Sequence, residues 1–325
     1  MLPLIVGTGC TVLILPVSLI IILKEEKRNQ RTFFSTSTDP LKTISEKIGL
    51  LMFLRGDVKP ANNYYPILIT DKYAENPQNP TRAPASSRRL GLISSIGTVV
   101  LNDKLEGKFP KATKALLGIE KELAKKKWQY PYFELTNDMA CLKKMIADGI
   151  MDAKSANIAD GVFTSDTGQI ELSGKAGKFK VVTEKSETFV LRNDATVVGK
   201  NVTVKGDNKY VVLSVMSVDG KDLNSSKRML ILHLTDVQRS NTHFGNQVGT
   251  ILEKWGTLPY LGRCGTATIN IKHNDLAGYK LFAVDTGGNR LFEVPFQKIS
   301  KTEISIKTNT FTKGKVVMAY ELVTK

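Results

Sequence analysis

From Gly161 to the C-terminus the chain is written in short runs of alternating apolar and polar residues with turn residues between them. The runs are Gln169–Leu172, Lys178–Val182, Thr188–Leu191, Val202–Lys205, Tyr210–Ser217, Arg228–Thr235, Thr266–Ile271, Lys280–Val284, Leu291–Pro295, Glu303–Lys307 and Lys315–Leu322. A period of two residues over such short lengths is the pattern of strands, not helices. Asp219-Gly220 and Gly287-Gly288-Asn289 carry turn chemistry between runs. Even spacing of many short strands predicts an all-β sandwich over residues 161–325. In Arg228–Thr235, Leu230, Leu232 and Leu234 face one side and Met229, Ile231 and His233 the other. Two apolar faces predict a central strand covered on both sides. His233 then reads as a core histidine with its hydrogen bonds satisfied, since no carboxylate or nucleophile accompanies it.

Residues 60–160 follow a different pattern. Upstream of them, Asp39-Pro40 opens a helix, by capping and by the fixed φ of proline. That helix carries Leu41, Ile44, Ile48, Leu51 and Met52 on one face and ends at Gly56-Asp57. Pro66–Thr70 reads as a buried strand, Arg88–Ile96 as a short helix and Gly97–Leu101 as a second strand. Lys111–Lys127 has helical amphipathicity, Tyr130–Leu135 reads as a third strand, and Asn137–Ile150 as a further helix. Strands alternating with helices predict an α/β segment with a parallel sheet. The loop Asp71–Glu75 lacks the glycine or hydroxyl cluster that cradles phosphate, so no cofactor is assigned. Cys141 falls inside a helix and reads as a packed residue. Lys125-Lys126-Lys127 reads as a solvated helix end.

Residues 2–23 carry no charge. About 20 apolar residues suffice to cross a bilayer as a helix. Residues 1–31 are therefore expected to form an apolar helix that anchors the chain in a membrane, with a buried core helix or a non-native start as the alternatives. Lys24, Lys27, Arg28 and Arg31 outweigh Glu25 and Glu26, which places the rest of the chain on the cytoplasmic side. Without that anchor the chain would be soluble.

The formal net charge is +15 and the sequence pI is near 9.6. Such a balance permits anionic partners. The lysines are spread along the chain, however, with no arginine-rich arm, zinc-finger spacing or RNA-binding aromatic motif, so nucleic acid is not the expected partner. Cys10, Cys141 and Cys264, with His233, His243 and His273, show no metal-ligand spacing. Nucleophile-elbow, Walker and zinc-protease motifs are absent from the sequence. Glycosidic hydrolysis needs two carboxylates flanking the bond, whereas Glu120, Glu122, Glu134 and Asp138 read as exposed helix or loop residues with no pairing. No catalytic, cofactor or metal residue is assigned. Trp255 and Tyr260, in Trp255-Gly256-Thr257-Leu258-Pro259-Tyr260, are the glycan-stacking candidates, although burial in packing is the expected fate of such a tryptophan.

Several stretches carry a family resemblance. Thr38-Asp39-Pro40-Leu41-Lys42, Ser45–Gly49 and Phe53–Pro60 resemble the end of the catalytic barrel in bacterial TIM-barrel glycoside hydrolases of the β-galactosidase-like kind. Leu90-Gly91-Leu92-Ile93 with Ile96-Gly97-Thr98 resembles the flavodoxin-like domain that follows it there. Gly177-Lys178-Phe179, Ser217–Lys221, Leu232–Gln238 and Trp255–Pro259 resemble the closing β domain. The resemblance implies a barrel-end remnant at 32–59, a flavodoxin-like α/β domain at 60–160 and a β-sandwich domain at 161–325. The catalytic barrel has no counterpart, so no catalytic residue carries over. What the resemblance implies is a non-catalytic rear portion of a glycoside hydrolase that supports a separate barrel chain, self-associates or contacts glycan. A membrane-anchored binding module for a protein or polysaccharide, held by residues 2–23, and a polyanion binder are the alternatives.

Overall fold

The computed structural model describes residues 40–76, 88–101, 109–120, 138–207, 209–246 and 251–324. They fall into two compact units: Lys59–Lys175, and residues 40–58 together with Ala176–Lys325. The expected N-terminal apolar helix and the strand Tyr130–Leu135 lie outside the described residues. Among the described residues no helix is long and apolar enough to cross a membrane.

In the first unit, β1 (Tyr64–Thr70) is flanked in parallel by β2 (Ser95–Leu101) and β3 (Leu117–Gly118). Ile67, Leu68 and Ile69 are all buried, as a strand covered on both faces requires. Helices cover Asp71–Glu75, Arg88–Ile93 and Asp138–Ala147. β4 (Ala156–Asn157), β5 (Val162–Thr164) and β6 (Ile170–Ser173) follow as an antiparallel meander. The helix expected from Lys111 is not formed over its described part: Thr113 bridges Tyr64, and Leu117-Gly118 pairs with Ile67-Leu68. Burial of Leu117 and Ile119 beside β1 outweighs the helical propensity of that stretch.

The second unit is mostly strand. One sheet runs β19 (Arg290–Val294), β18 (Lys280–Val284), β24 (Ala319–Val323), β12 (Arg228–Leu234), β11 (Val211–Ser217), β8 (Ser186–Leu191), β7 (Lys178–Val182). The other runs β20 (Gln297–Lys298), β21 (Glu303–Asn309), β17 (Thr266–Lys272), β10 (Val202–Lys205), β9 (Thr196–Val198). Every second residue points into a shared core. Phe189, Leu213, Val215, Ile231, Leu281 and Tyr320 come from the first sheet, and Val202, Val204, Ile269, Ile271, Ile304 and Ile306 from the second. Each such side chain is worth about 1.5–3 kcal/mol of apolar burial. As expected, β12 is covered on both faces, with Leu232 and Leu234 buried opposite Met229 and Ile231.

The helix Pro40–Leu54 belongs to this unit. Its buried stripe is Leu41, Lys42, Ser45, Gly49 and Met52, rotated from the expected apolar face, so Leu50, Phe53 and Leu54 are exposed. It ends where expected: Gly56 takes φ 63°, and Asp57 N–H donates to Met52 O at 2.9 Å. The Arg55 guanidinium pairs with the Asp57 carboxylate and donates to Ser217 O at 2.5 Å, while Ser186 Oγ donates to Asp57 at 2.9 Å. The helix end is thus pinned to the ends of β8 and β11.

Candidate functional site

Between β12 and β17 the chain leaves the sheets as a ribbon that the alternation pattern did not predict. β13 (Val237–Ser240) pairs antiparallel with β16 (Thr257–Gly262), and β14 (His243–Phe244) with β15 (Leu252–Lys254). Polar ties cross it. Ser240 Oγ donates to Pro259 O at 2.8 Å and Thr242 Oγ1 to Arg239 O at 2.9 Å. Gly256 takes φ 73°, and a Cβ there would stand 2.4 Å from Ser240 O, so only glycine allows the turn after Trp255.

This placement reverses one expectation. Trp255 is 60% exposed on the ribbon and is not used in packing. A local pattern reads helix and strand periods, and the irregular register at Arg239/Ser240 and His243/Phe244 hides the ribbon from it. Tyr260 is half-buried; the Arg239 guanidinium stacks 5.7 Å from its ring centroid and Arg239 Nε donates to its hydroxyl at 3.3 Å. Of the two glycan-stacking candidates, Trp255 therefore keeps its ring open and Tyr260 is engaged by Arg239. His243 Nδ1 and Glu253 Oε2 form an exposed pair at 2.8 Å on the same ribbon.

At the ribbon's root, Arg263 N–H donates to Asp236 O at 2.7 Å, and Arg263 O accepts from Thr235 Oγ1 at 2.6 Å and Thr310 Oγ1 at 3.1 Å. The Arg263 guanidinium donates to Tyr210 O and lies 3.7 Å from Asp207 Oδ2. Beside this knot sits His233, fully buried. Neither ring nitrogen has a hydrogen-bond partner among the described residues, which corrects the expectation of a satisfied core histidine. Burial pushes its pKa down to about 4; Asp207 acts against that and Arg263 with it. His233 is therefore neutral at pH 7, with no base partner to act on.

Three carboxylates make contacts that hold the fold. Glu187 is buried and accepts N–H groups of Lys200, Asn201 and Val202 at 3.0, 2.6 and 3.2 Å, holding the β9–β10 turn. Glu321 lies between Arg228 and Arg290 at 2.6 Å each; burial alone would raise its pKa, but the two guanidiniums bring it below the usual range. Glu120, expected on an exposed helix, instead accepts Thr70 N–H at 2.8 Å and Thr70 Oγ1 at 2.9 Å at the end of β1. Cys141 is buried in the helix Asp138–Ala147. Among the described residues no group of three or more His, Cys, Asp or Glu could hold a metal.

Of the large apolar side chains exposed among the described residues, Ile251, Trp255, Leu258 and Leu261 lie on the ribbon. Phe311 and Val316 lie on the adjoining hairpin β22 (Phe311–Thr312) and β23 (Lys315–Val316). No protein-family model, no curated protein and no solved structure matches this chain.

Proposed function

We propose that this chain is a non-catalytic recognition module whose sandwich presents the Val237–Gly262 ribbon as a contact surface. The observation that carries the reading is the run of exposed apolar side chains from Ile251 to Leu261, centred on Trp255 at 60% exposure. Exposed apolar patches of this kind mark interaction surfaces. The non-catalytic role implied by the glycoside hydrolase resemblance agrees with it, and the parallel sheet β2-β1-β3 supports a flavodoxin-like reading of the α/β segment.

Saccharide stacking is a second reading. It is favoured by the open Trp255 ring with Thr242, His243 and Glu253 beside it as hydrogen-bonding groups. Titrating a Trp128→Phe chain with a panel of neutral and acidic polysaccharides and lipid vesicles, while following Trp255 fluorescence and co-sedimentation, tests the module. A shift with at least one class is expected, and Trp255→Ala should lose the co-sedimentation. No response across the panel, or turnover of a chromogenic galactoside by the pure chain, would overturn the module reading.

A further inference from the structure

The open ribbon is bordered by cations, and this border says what it docks on. We infer that the ribbon and the β22–β23 hairpin dock on the surface of an anionic lipid bilayer, a conclusion that rests on the module reading above. Six large apolar side chains are presented by these two elements: Ile251 (56% exposed), Trp255 (60%), Leu258 (70%), Leu261 (57%), Phe311 (50%) and Val316 (53%). The two elements stand at one end of the sandwich. Thr310 Oγ1, at the hairpin's start, donates to Arg263 O at the ribbon's root, and a Cβ on Gly262 would meet Val316 Cγ1 at 3.8 Å.

The chemistry of this set is four aliphatic side chains, one phenyl and one indole. A sugar face is recognised by an aromatic ring and a dense ring of hydrogen-bonding groups; it gives no use to four exposed aliphatic side chains. A hydrocarbon boundary takes aliphatic side chains of this kind, and tryptophan favours the level of the lipid headgroups. The charges agree. Lys254 on the ribbon and Lys315 on the hairpin are exposed cations, with Arg239 and Lys313 resting on the Tyr260 and Phe292 rings, while the acid among the described residues of these elements, Glu253, is paired with His243. The excess of cations matches anionic headgroups, and the net charge of +15 on the whole chain adds long-range attraction in the same sense.

The test uses the full chain in a Trp128→Phe background, so that Trp255 is the single indole. Vesicles of phosphatidylcholine alone and with phosphatidylserine at about 30% are compared, the added charge being expected to strengthen partitioning about ten-fold or more. Trp255 emission should shift to the blue, and lipids brominated on their acyl chains should quench it. Leu258→Ser with Leu261→Ser should abolish the quenching, and Lys254→Glu with Lys315→Glu should weaken partitioning by about ten-fold, both with an unchanged far-UV spectrum. Vesicle binding without quenching of Trp255, unaffected by the ribbon variants, would assign attachment to another segment such as residues 2–23 and overturn the inference. Lipid-free self-association abolished by Leu258→Ser would also overturn it, as would a Trp255 response to polysaccharide but not to vesicles; both leave the module intact. Silence toward every probe overturns module and inference together.

Discussion

Glu187 and Gly199 form a single device. The carboxylate reaches from β8 into the β9–β10 turn and takes three backbone N–H groups, and the missing side chain at Gly199 is what lets it pass: a Cβ there would stand 1.9 Å from Oε2. Burial raises this carboxyl's pKa, and the N–H donors pull it back. Gly199→Ala should cost about 2–3 kcal/mol in urea unfolding, by overpacking and by unpairing the donors. In a Glu187→Ala background the same change should cost much less, since contacting residues are non-additive.

His233 makes a pH prediction with a definite sign. Its folded pKa of about 4 lies below the ordinary 6.5, so the unfolded chain takes up a proton at a pH where the folded chain does not. The contribution of this residue is present in full above pH 6.5 and is lost as the pH falls from there toward 4, by about 3 kcal/mol in all. His233→Leu, similar in size and uncharged, should flatten the fall of chemically measured stability over that window. An unchanged slope would mean that other groups carry the acid sensitivity. The sequence showed this side chain as interior. It could not show that both nitrogens lack partners, because that depends on which strands and loops converge on the ring.

At the scale of elements, the ribbon and the helix Pro40–Leu54 both expose apolar residues, but only the ribbon is bordered by cations on an adjoining hairpin. Trp255→Ala and Leu258→Ser should leave the thermal midpoint nearly unchanged, within about 0.5 kcal/mol of stability, because they remove little burial. A large loss would mean that these side chains pack in solution. The strands of the two sheets were legible from alternation: Lys178–Val182, Val202–Lys205 and Lys280–Val284 are formed with the bounds expected. Thr196–Val198 and the ribbon strands were not: Thr196–Val198, His243–Phe244 and Leu252–Lys254 hold too little of a period, and Val237–Ser240 and Thr257–Gly262 pair with an irregular register. Residues 111–120 failed in the opposite way. Their charged and apolar spacing fits a helix, and only the neighbouring β1 makes them extended.

At the scale of the molecule, the grouping of residues 40–58 with the sandwich gives a thermodynamic expectation. Asp57 is a buried partner of Arg55 and Ser186, so Asp57→Asn leaves Arg55 with a weaker partner and should cost up to about 3–5 kcal/mol. Phe189→Ala in the core should cost about 3–5 kcal/mol. In calorimetry both should lower the same transition; separate transitions would show that the helix does not unfold with the sheets.

The sequence by itself determined the β-rich character of the C-terminal half, the two-sided burial of β12, the end of the first helix at Gly56-Asp57 and the lack of any recognised catalytic motif. Each of these follows from period, turn chemistry or composition, which act within a few residues. Tertiary structure alone decided that Trp255 is open, that Tyr260 is engaged by Arg239, that residues 40–58 belong to the sandwich unit and that His233 lies unpartnered at the root of the ribbon. Those outcomes depend on contacts between residues far apart in the chain, for which local spacing carries no signal.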